Sequence, residues 1–331
     1  MIRVSIRDLA DVLKSIDGKR YSLYSRLRNV HVVFEEGIYR LTKIQGDPHA
    51  QPSIIEVVLP FSKHGFPKKL LSNKSTIPFT DYITRKLYRI CAKYTRKCGS
   101  GNSCYIGVPK PSPRILLRSS VEVNEKLDII LRFYVGLPAR GRRILGKEAI
   151  NVLCKKVPAI VKSVVSLRES IESIEDYVRN FLDQEFLREW IEKRDYMFFI
   201  GNGSILPRES SISEKPMRNP VLFKSPETFE VEVQLLSGKK IRGMAAKRGI
   251  LIITGGGYHG KTTLLKAIQE GIYDHIVGDG REYVVSRKNT VYVKSEDGRV
   301  VNNVDISSFI SNLPTAEDTS NFSSLNASGS T

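Results

Sequence analysis

The residues with the clearest chemical meaning form a glycine-rich stretch from Gly255 to Thr262. The stretch fits the pattern G-x-x-x-x-G-K-[ST]. In that pattern the glycines let backbone N–H groups turn inward around phosphates, the ammonium group of Lys261 reaches the β- and γ-phosphates, and the hydroxyl of Thr262 ligates Mg²⁺. The stretch therefore predicts a P-loop, a site that holds ATP together with Mg²⁺.

The elements on either side of this stretch are those that such a site requires. Gly249–Thr254 is an apolar run that suits a buried parallel strand, and Thr263–Ile268 predicts a helix whose N-terminal dipole favours an anion. His259 occupies a variable position, where we expect it to contribute only its backbone. The predicted nucleotide-binding residues are Gly255, Gly256, Gly257, Tyr258, His259, Gly260, Lys261, Thr262 and Thr263.

The rest of the chain alternates between helical and strand-like patterns. Helices are predicted at 4–16, 79–97 and 164–196, and strands at 30–34, 39–44, 54–59, 115–117, 127–133 and 198–200. Residues 138–143 form a basic loop, and Trp190 is expected in the core. We place a domain boundary near residue 160. The predicted fold class is therefore α/β, with an α+β domain at 1–160 followed by a P-loop NTPase core at 161–331.

Positive charge is concentrated in the first third of the chain. The net charge is +17, and residues 1–110 hold 20 Lys and Arg against 8 Asp and Glu. Six of these basic residues interleave with Tyr88 and Tyr94, and they are Arg85, Lys86, Arg89, Lys93, Arg96 and Lys97. Such a segment can neutralise phosphates and stack on bases, so RNA or single-stranded DNA is a possible partner. A solvated basic helix face is the alternative.

The cysteines and the apolar runs narrow the class of protein. Cys91, Cys98, Cys104 and Cys154 show no zinc-ligand spacing, which favours buried or free thiols; a disulfide within Cys91–Cys104 is the alternative. No apolar run approaches the roughly 18 residues that a membrane span needs, and the N-terminus has no secretory core. We therefore expect a cytoplasmic protein.

The chain as a whole resembles a known family, the predicted ATPases of the ABC class, a soluble group distinct from the transporters. The resemblance extends over essentially the whole chain. Besides the P-loop, the segments that carry it, in the order of the family, are Ile16–Lys19, Gln45–Pro48, Gly136–Ala139, Asp183–Gln184, Ile205–Arg208, Gly278–Glu282, Val304–Ser307 and Asn326–Thr331.

The resemblance implies that ATP drives dimerisation of two head-to-tail protomers. Each nucleotide would be held by the P-loop of one protomer and a signature segment of the other. Ser328, Gly329 and Ser330 resemble that signature, whose serine and backbone N–H groups would touch the γ-phosphate. Without the family, 315–331 is a Ser-, Asn- and Thr-rich tail for which disorder would be expected.

One expected part of the catalytic machinery is not found in these 331 residues. The resemblance implies an apolar strand ending in Asp-Glu-Asp, the Walker B segment, which would hold Mg²⁺ and orient the attacking water. After the P-loop, no apolar run of this sequence ends in paired acids; Ile276–Asp279 is the nearest imitation, but it lies too soon after the P-loop helix. The P-loop core is therefore expected to be incomplete at its C-terminus, its catalytic residues are unassigned, and hydrolysis should be deficient.

Three functions remain open at this point. The first is an ABC-class ATPase that couples nucleotide-driven dimerisation to binding of nucleic acid, most plausibly RNA. The second is a nucleic-acid-binding module in which the nucleotide only stabilises the fold. The third, a small-molecule kinase, shares the P-loop but has no separate support in the sequence.

Overall fold

The computed structural model describes residues 2–166, 171–254, 259–293, 300–308, 310–311 and 318–323. The first half of the chain builds its sheets from ten strands, which are β1 (Ile2–Ser5), β2 (Val30–Val33), β3 (Ile38–Lys43), β4 (Ser53–Leu59), β5 (Ile106–Gly107), β6 (Arg114–Ile115), β7 (Val121–Val123), β8 (Ile129–Val135), β9 (Ala139–Arg140) and β10 (Arg143–Ile144). The helices of this half are α1 (Ile6–Ser15), α2 (Phe61–His64), α3 (Thr76–Tyr94), α4 (Gly146–Ile150) and α5 (Val157–Val165), with a π-helical turn at Asn151–Lys156.

Seven of these strands form one sheet with the order β1-β2-β3-β4-β8-β5, and β7 also pairs with β8. Only β1 and β2 run parallel; the other pairs are antiparallel. β4 and β8 alternate between fully buried and partly exposed side chains, which is the period-2 pattern of a sheet with one covered face. The N-terminal sheet thus turns one face to a core and the other towards solvent.

The helices cover the buried face and join it in one apolar core. α1 begins at a capping box, in which the backbone N–H of Asp8 donates to the Ser5 hydroxyl (3.2 Å) and the backbone N–H of Ser5 donates to the Asp8 carboxylate (2.8 Å). Leu9 and Leu13 of α1 are buried in this core. The hydroxyl of Tyr39 donates to the carbonyl oxygen of Leu153 (2.8 Å), so the sheet is also tied to the helical layer by a buried hydrogen bond.

The second half of the chain is a separate layered unit. Its helices are α6 (Ile171–Lys193) and α7 (Lys261–Glu270), and its strands are β11 (Tyr196–Gly201), β12 (Glu230–Gln234), β13 (Lys240–Lys247), β14 (Asp274–His275) and β15 (Val284–Ser286). These strands include an antiparallel sheet of order β12-β13-β11-β15, in which β11 packs on both faces. Phe199 packs in a cluster with residues of α6, whereas Phe198 and Ile200 pack in a cluster with residues of α7. The sheet therefore separates α6 from the predicted P-loop helix.

The two halves meet along α6 and a short strand pair. Ile174 and Val178 of α6 belong to the N-terminal core, and Leu187 and Ile191 belong to the C-terminal one. β6 of the first half pairs with β14 of the second half. A buried carboxylate at Asp81 accepts hydrogen bonds from Arg85 (2.6 Å), Arg118 (2.7 Å) and Tyr177 (2.7 Å), so residues from the sheet edge, α3 and α6 share one charge.

Most predicted elements are present, and several details differ. The structure gives an α/β fold with an N-terminal α+β part, as expected from the sequence. The helix predicted at 164–196 is not continuous over the described residues, because α5 ends at Val165 and α6 covers Ile171–Lys193. The basic loop at 138–143 contains the short β9–β10 hairpin. Trp190 is only half-buried and stacks on Tyr196, with ring centroids 5.4 Å apart.

The preference for four buried or free thiols is wrong for two of them. Cys98 and Cys104 form a disulfide across a tight turn, whereas Cys91 and Cys154 are buried free thiols. The two cysteines are six residues apart in sequence, and the turn between them brings their side chains close enough to bond. None of the described helices is long and apolar enough to cross a membrane.

Candidate nucleotide site

The predicted P-loop leads directly into a helix. Gly260 has φ +83° and precedes the first residue of α7, Lys261. This left-handed backbone is readily available to glycine and explains its place in the pattern. The backbone N–H of Leu264 donates to the carbonyl oxygen of Gly260 (2.9 Å), which closes the first helical turn. The earlier N–H groups of this turn have no partner within the helix and are available to an anion.

The first turn of α7 carries three side chains to which the sequence assigns roles. Thr262 is exposed, and Lys261 and Thr263 are partly exposed. Among the described residues, none forms a hydrogen bond with the Thr262 hydroxyl. A hydroxyl oxygen is a ligand type that Mg²⁺ accepts, so this position fits the metal. The predicted set also includes His259, which is exposed. Its remaining members lie outside the described residues, and they are Gly255, Gly256, Gly257 and Tyr258.

The other face of α7 holds the helix in place. Ala267 is fully buried, and Leu264 and Ile268 pack against the cluster that contains Phe198 and Ile200. The polar first turn and the apolar inner face thus belong to one amphipathic helix. The sheet fixes the position of Lys261 through the packing of residues three to seven positions further along.

The strand predicted before the P-loop is not present. Residues 249–254 form no strand, and Ile250 and Ile252 are 96% and 77% exposed. A strand requires a neighbouring backbone for its hydrogen bonds, and no described strand runs alongside this segment. Leu251 and Ile253 line a cavity of about 710 Å³ with Leu265 and Ile268 of α7. The expectation of a buried parallel strand at 249–254 is therefore wrong for the described chain.

A cavity of about 450 Å³ lies next to the start of α7. Gly260 and Thr263 line one side, and Leu206, Pro207 and the segment Val221–Lys224 line the other. The segment is held by two backbone hydrogen bonds, from Phe223 N–H to Ser204 O (2.9 Å) and from Gly203 N–H to Phe223 O (2.8 Å). This largely apolar wall lies next to the turn at which the sequence predicts phosphate binding.

Two of the six predicted nucleic-acid residues, Arg85 and Lys86, are largely enclosed by the protein and have internal partners. Arg85 contacts Asp81 and also donates to the carbonyl oxygens of Ser112 (2.6 Å) and Arg114 (3.0 Å). Burial lowers the pKa of Arg85, but the neighbouring Tyr177 and Asp81 outweigh this and raise it. The ammonium group of the buried Lys86 donates to the Ser166 carbonyl (3.1 Å). Both side chains stabilise the junction between the halves.

The remaining four basic residues are exposed at the C-terminal end of α3 and just beyond it. Arg89, Lys93 and Lys97 are exposed, and the exposed Arg96 forms an ion pair with Glu148. A groove of about 430 Å³ opens beside Arg89, and Lys110 and three tyrosines contribute to its lining, namely Tyr82, Tyr88 and Tyr177. The structure therefore brings cations and aromatic rings together, although Tyr94 is not in this groove.

A charge cluster that the sequence did not single out lies at the far end of α7. Arg208 donates to the Asp279 carboxylate (2.7 Å), and the Nδ1 atom of His275 lies 2.8 Å from the same carboxylate. Burial raises the pKa of Asp279, but the neighbouring His275 and Arg208 outweigh it and hold that pKa below its usual value. Arg281 lies beside this cluster. The signal was present only as the paired segments Ile205–Arg208 and Gly278–Glu282, whose residues are far apart in sequence.

Comparison with known proteins assigns the chain to a family. Residues 6–168 match the model described as the N-terminal part of the ATPases of the ABC class, and residues 170–331 match the P-loop domain of the same ATPases. The chain belongs to the ATPases of the ABC class. An uncharacterized protein of Methanocaldococcus jannaschii is 33% identical over 176 residues, which cover 50% of this chain and 38% of that protein. The matched region thus spans well under half of this relative.

Proposed function

We propose that this chain binds Mg·ATP at the start of α7, with Lys261 on the β- and γ-phosphates and the Thr262 hydroxyl on Mg²⁺. The observation that carries the proposal is the transition from Gly260, in the left-handed conformation, into a helix whose first turn presents Lys261 and Thr262 at the surface. Backbone N–H groups and the helix dipole favour an anion there. The adjacent cavity lined by Val221–Lys224 would receive the base.

Calorimetric titration with Mg·ATP tests this assignment. Lys261→Ala should weaken binding by about 1.5–3 kcal/mol, the range for hydrogen bonds to charged groups, which is roughly 10- to 150-fold in Kd. Lys240→Ala removes an exposed lysine of β13 and serves as the matched control, which should bind like the parent. Equal affinity of the Lys261→Ala variant and the parent would refute the assignment.

The proposed enzymatic role is limited by the catalytic groups that this sequence provides. A P-loop binds the phosphates in the ground state as well as in the transition state, whereas rate requires groups that act only during transfer. After the P-loop, no apolar run in this sequence ends in the paired acids expected to orient water. We therefore propose that the 331-residue chain binds ATP with slow turnover. A version extended through an Asp-Glu-Asp segment should release phosphate at least tenfold faster. A tenfold ratio corresponds to a barrier that is lower by about 1.36 kcal/mol.

The family resemblance further supports ATP-driven dimerisation. Ser328, Gly329 and Ser330, the signature-like residues, lie outside the described residues, so this part of the proposal rests on the resemblance alone. Sedimentation of the extended protein with and without Mg·ATP tests it. The proposal predicts a dimer only with nucleotide, and a monomer under both conditions would contradict it.

The groove beside Arg89 supports a second function, binding of single-stranded nucleic acid. Cations that neutralise phosphates and tyrosines that stack on bases are the two components of such sites. Simultaneous replacement of Arg89, Lys93 and Lys97 by alanine should reduce RNA affinity and the salt dependence of binding. The control replaces three exposed lysines elsewhere in the same half, Lys14, Lys63 and Lys126. Equal loss in both triple variants would indicate unspecific charge attraction, and RNA binding that does not respond to salt would refute the proposal.

A further inference from the structure

A cavity of about 290 Å³ lies where the two halves of the chain meet, at the C-terminal end of α7. Its wall includes Arg114 of the N-terminal half, Arg208 and Arg281 of the C-terminal half, and Lys266 of α7. The carboxylates in the wall are Glu214 and Glu270. A water molecule takes about 30 Å³ of liquid volume, so the cavity has room for a phosphate group and several waters. Four cations and two carboxylates line it.

Arg281 is the buried cation of this wall. It is 5% exposed, and both Nε and Nη2 donate to one acceptor, the backbone carbonyl of Leu206. Within the described parts of the chain, no carboxylate forms an ion pair with it. Burial and the nearby Arg208 lower the pKa of Arg281 to about 10. Asp279 and Glu270 act to raise that pKa, but burial and Arg208 outweigh them. A buried guanidinium without an ion pair carries a desolvation penalty, which a bound anion would offset.

Two of the neighbouring cations, Arg114 and Arg208, are held by partners of their own. Arg208 is fixed by Asp279, which is not one of the lining residues, and Arg114 is fixed by Glu270 (2.7 Å), which is. These ion pairs hold two guanidinium groups at the wall without neutralising Arg281. Planar guanidinium groups arranged in this way match the oxygens of a phosphate, because each can donate two parallel hydrogen bonds.

We propose that this cavity is a second anion site, distinct from the P-loop, which binds a small phosphate-bearing molecule or inorganic phosphate with Arg281 as its main ligand. Lys266 and Glu270 lie five and nine residues after Lys261, about 7 and 14 Å further along the helix at 1.5 Å per residue. An anion here would touch both halves of the chain and the helix that begins at the P-loop. Its occupancy would therefore stabilise the junction between the halves.

The test uses the full 331-residue chain with Lys261→Ala as the parent, so that phosphate at the P-loop contributes little. Isothermal titration with inorganic phosphate, and separately with ribose 5-phosphate, distinguishes the free ion from a phosphate monoester. Arg281→Met should weaken binding at least tenfold, as expected for lost hydrogen bonds to a charged group. Arg242→Met removes an exposed arginine of β13 that pairs with Glu232, and it should leave the affinity unchanged.

A second variant, with the opposite expected effect on phosphate affinity, keeps the test valid if Arg281→Met misfolds. Glu214 is an exposed acid at the cavity wall, 3.8 Å from Arg114, so Glu214→Gln should tighten phosphate binding about two- to fivefold, the range of an exposed charge pair. Binding of either phosphate compound with these two opposite responses supports the proposal. The proposal is overturned if neither compound binds the parent, or if Arg281→Met binds within twofold of it. The Lys261→Ala background separates this result from the proposed ATP site.

Discussion

Two apolar segments of this protein, β4 in the N-terminal half and residues 249–254 before the P-loop, have similar sequences and different structures. β4 is hydrogen-bonded on both edges, to β3 and β8, and Ile55 and Val57 are completely buried. Residues 249–254 form no strand, and Ile252 is exposed. An apolar sequence alone therefore does not make a strand, because a strand also needs a neighbouring backbone with which to form hydrogen bonds. The turn at Gly260 depends on local sequence, whereas strand formation by an apolar segment depends on distant residues.

The largest expected effect separates these two segments directly. Ile55→Ala should lower the free energy of unfolding by about 2–5 kcal/mol, because it leaves a cavity in a closed core. Ile252→Ala makes the same chemical change at an exposed position and should alter that free energy by less than about 0.5 kcal/mol. Urea denaturation of both variants measures the difference. Similar losses would show that 249–254 is packed in solution, and the contrast between the segments would fail.

An intermediate effect is expected in the charge cluster at the end of α7. Asp279→Asn should cost about 1–3 kcal/mol at pH 7, because Arg208 loses a charged hydrogen-bond partner. The folded-state pKa of Asp279 is lowered, so its ionised form stabilises the protein above the ordinary carboxyl pKa near 4. This stabilisation is lost as the pH falls through the lowered value.

Unfolding at several pH values measures that dependence. The gap between wild type and Asp279→Asn should be full at pH 6–7 and shrink below about pH 4. Asp11→Asn, at an exposed position paired with Lys14, is the control and should show almost no gap at any pH. A difference in the free energy of unfolding that grows on acidification would mean that the pKa of Asp279 is raised and that the cluster does not have the contacts described above.

The smallest change is expected at the free thiols of the N-terminal half. Burial raises the pKa of Cys91 to about 12 and of Cys154 to about 11, so very little thiolate forms at pH 8. A thiol reagent should modify neither residue in the native protein and both after denaturation. Reduction of the disulfide in the denatured protein should then make two further thiols, those of Cys98 and Cys104, available to the reagent. Rapid native labelling of Cys91 would show that the N-terminal core is more open than β4 suggests.

The sequence predicted those features that depend on local pattern. The helices around Leu9 and Leu13 and around Ile83, and the alternating strands β3, β4 and β8, follow from periodicity and appear where expected. Gly260 and the helix after it also follow from a local motif. The P-loop function itself gained its support from the family comparison, which matches both parts of the chain.

Features that join distant residues were not predictable from one sequence. Arg85 is a basic residue of α3 in the sequence, but its contacts with Asp81 and the carbonyl oxygens of Ser112 and Arg114 engage it inside the protein. Arg208 and Asp279 are separated by 71 residues, and only the fold brings them within 2.7 Å. The choice of Cys98 and Cys104 as the bonded pair likewise depends on the geometry of a turn.

Hydrogen–deuterium exchange with and without Mg·ATP tests the central claim most directly, because it locates the nucleotide. The account predicts slower exchange in peptides that span residues 249–270, no change in peptides of β4 or β8, and loss of the effect in Lys261→Ala. The start of α7 should respond most strongly, since its first N–H groups have no partner within the helix. Protection that maps to other segments, or that persists unchanged in Lys261→Ala, would contradict binding of ATP at the P-loop.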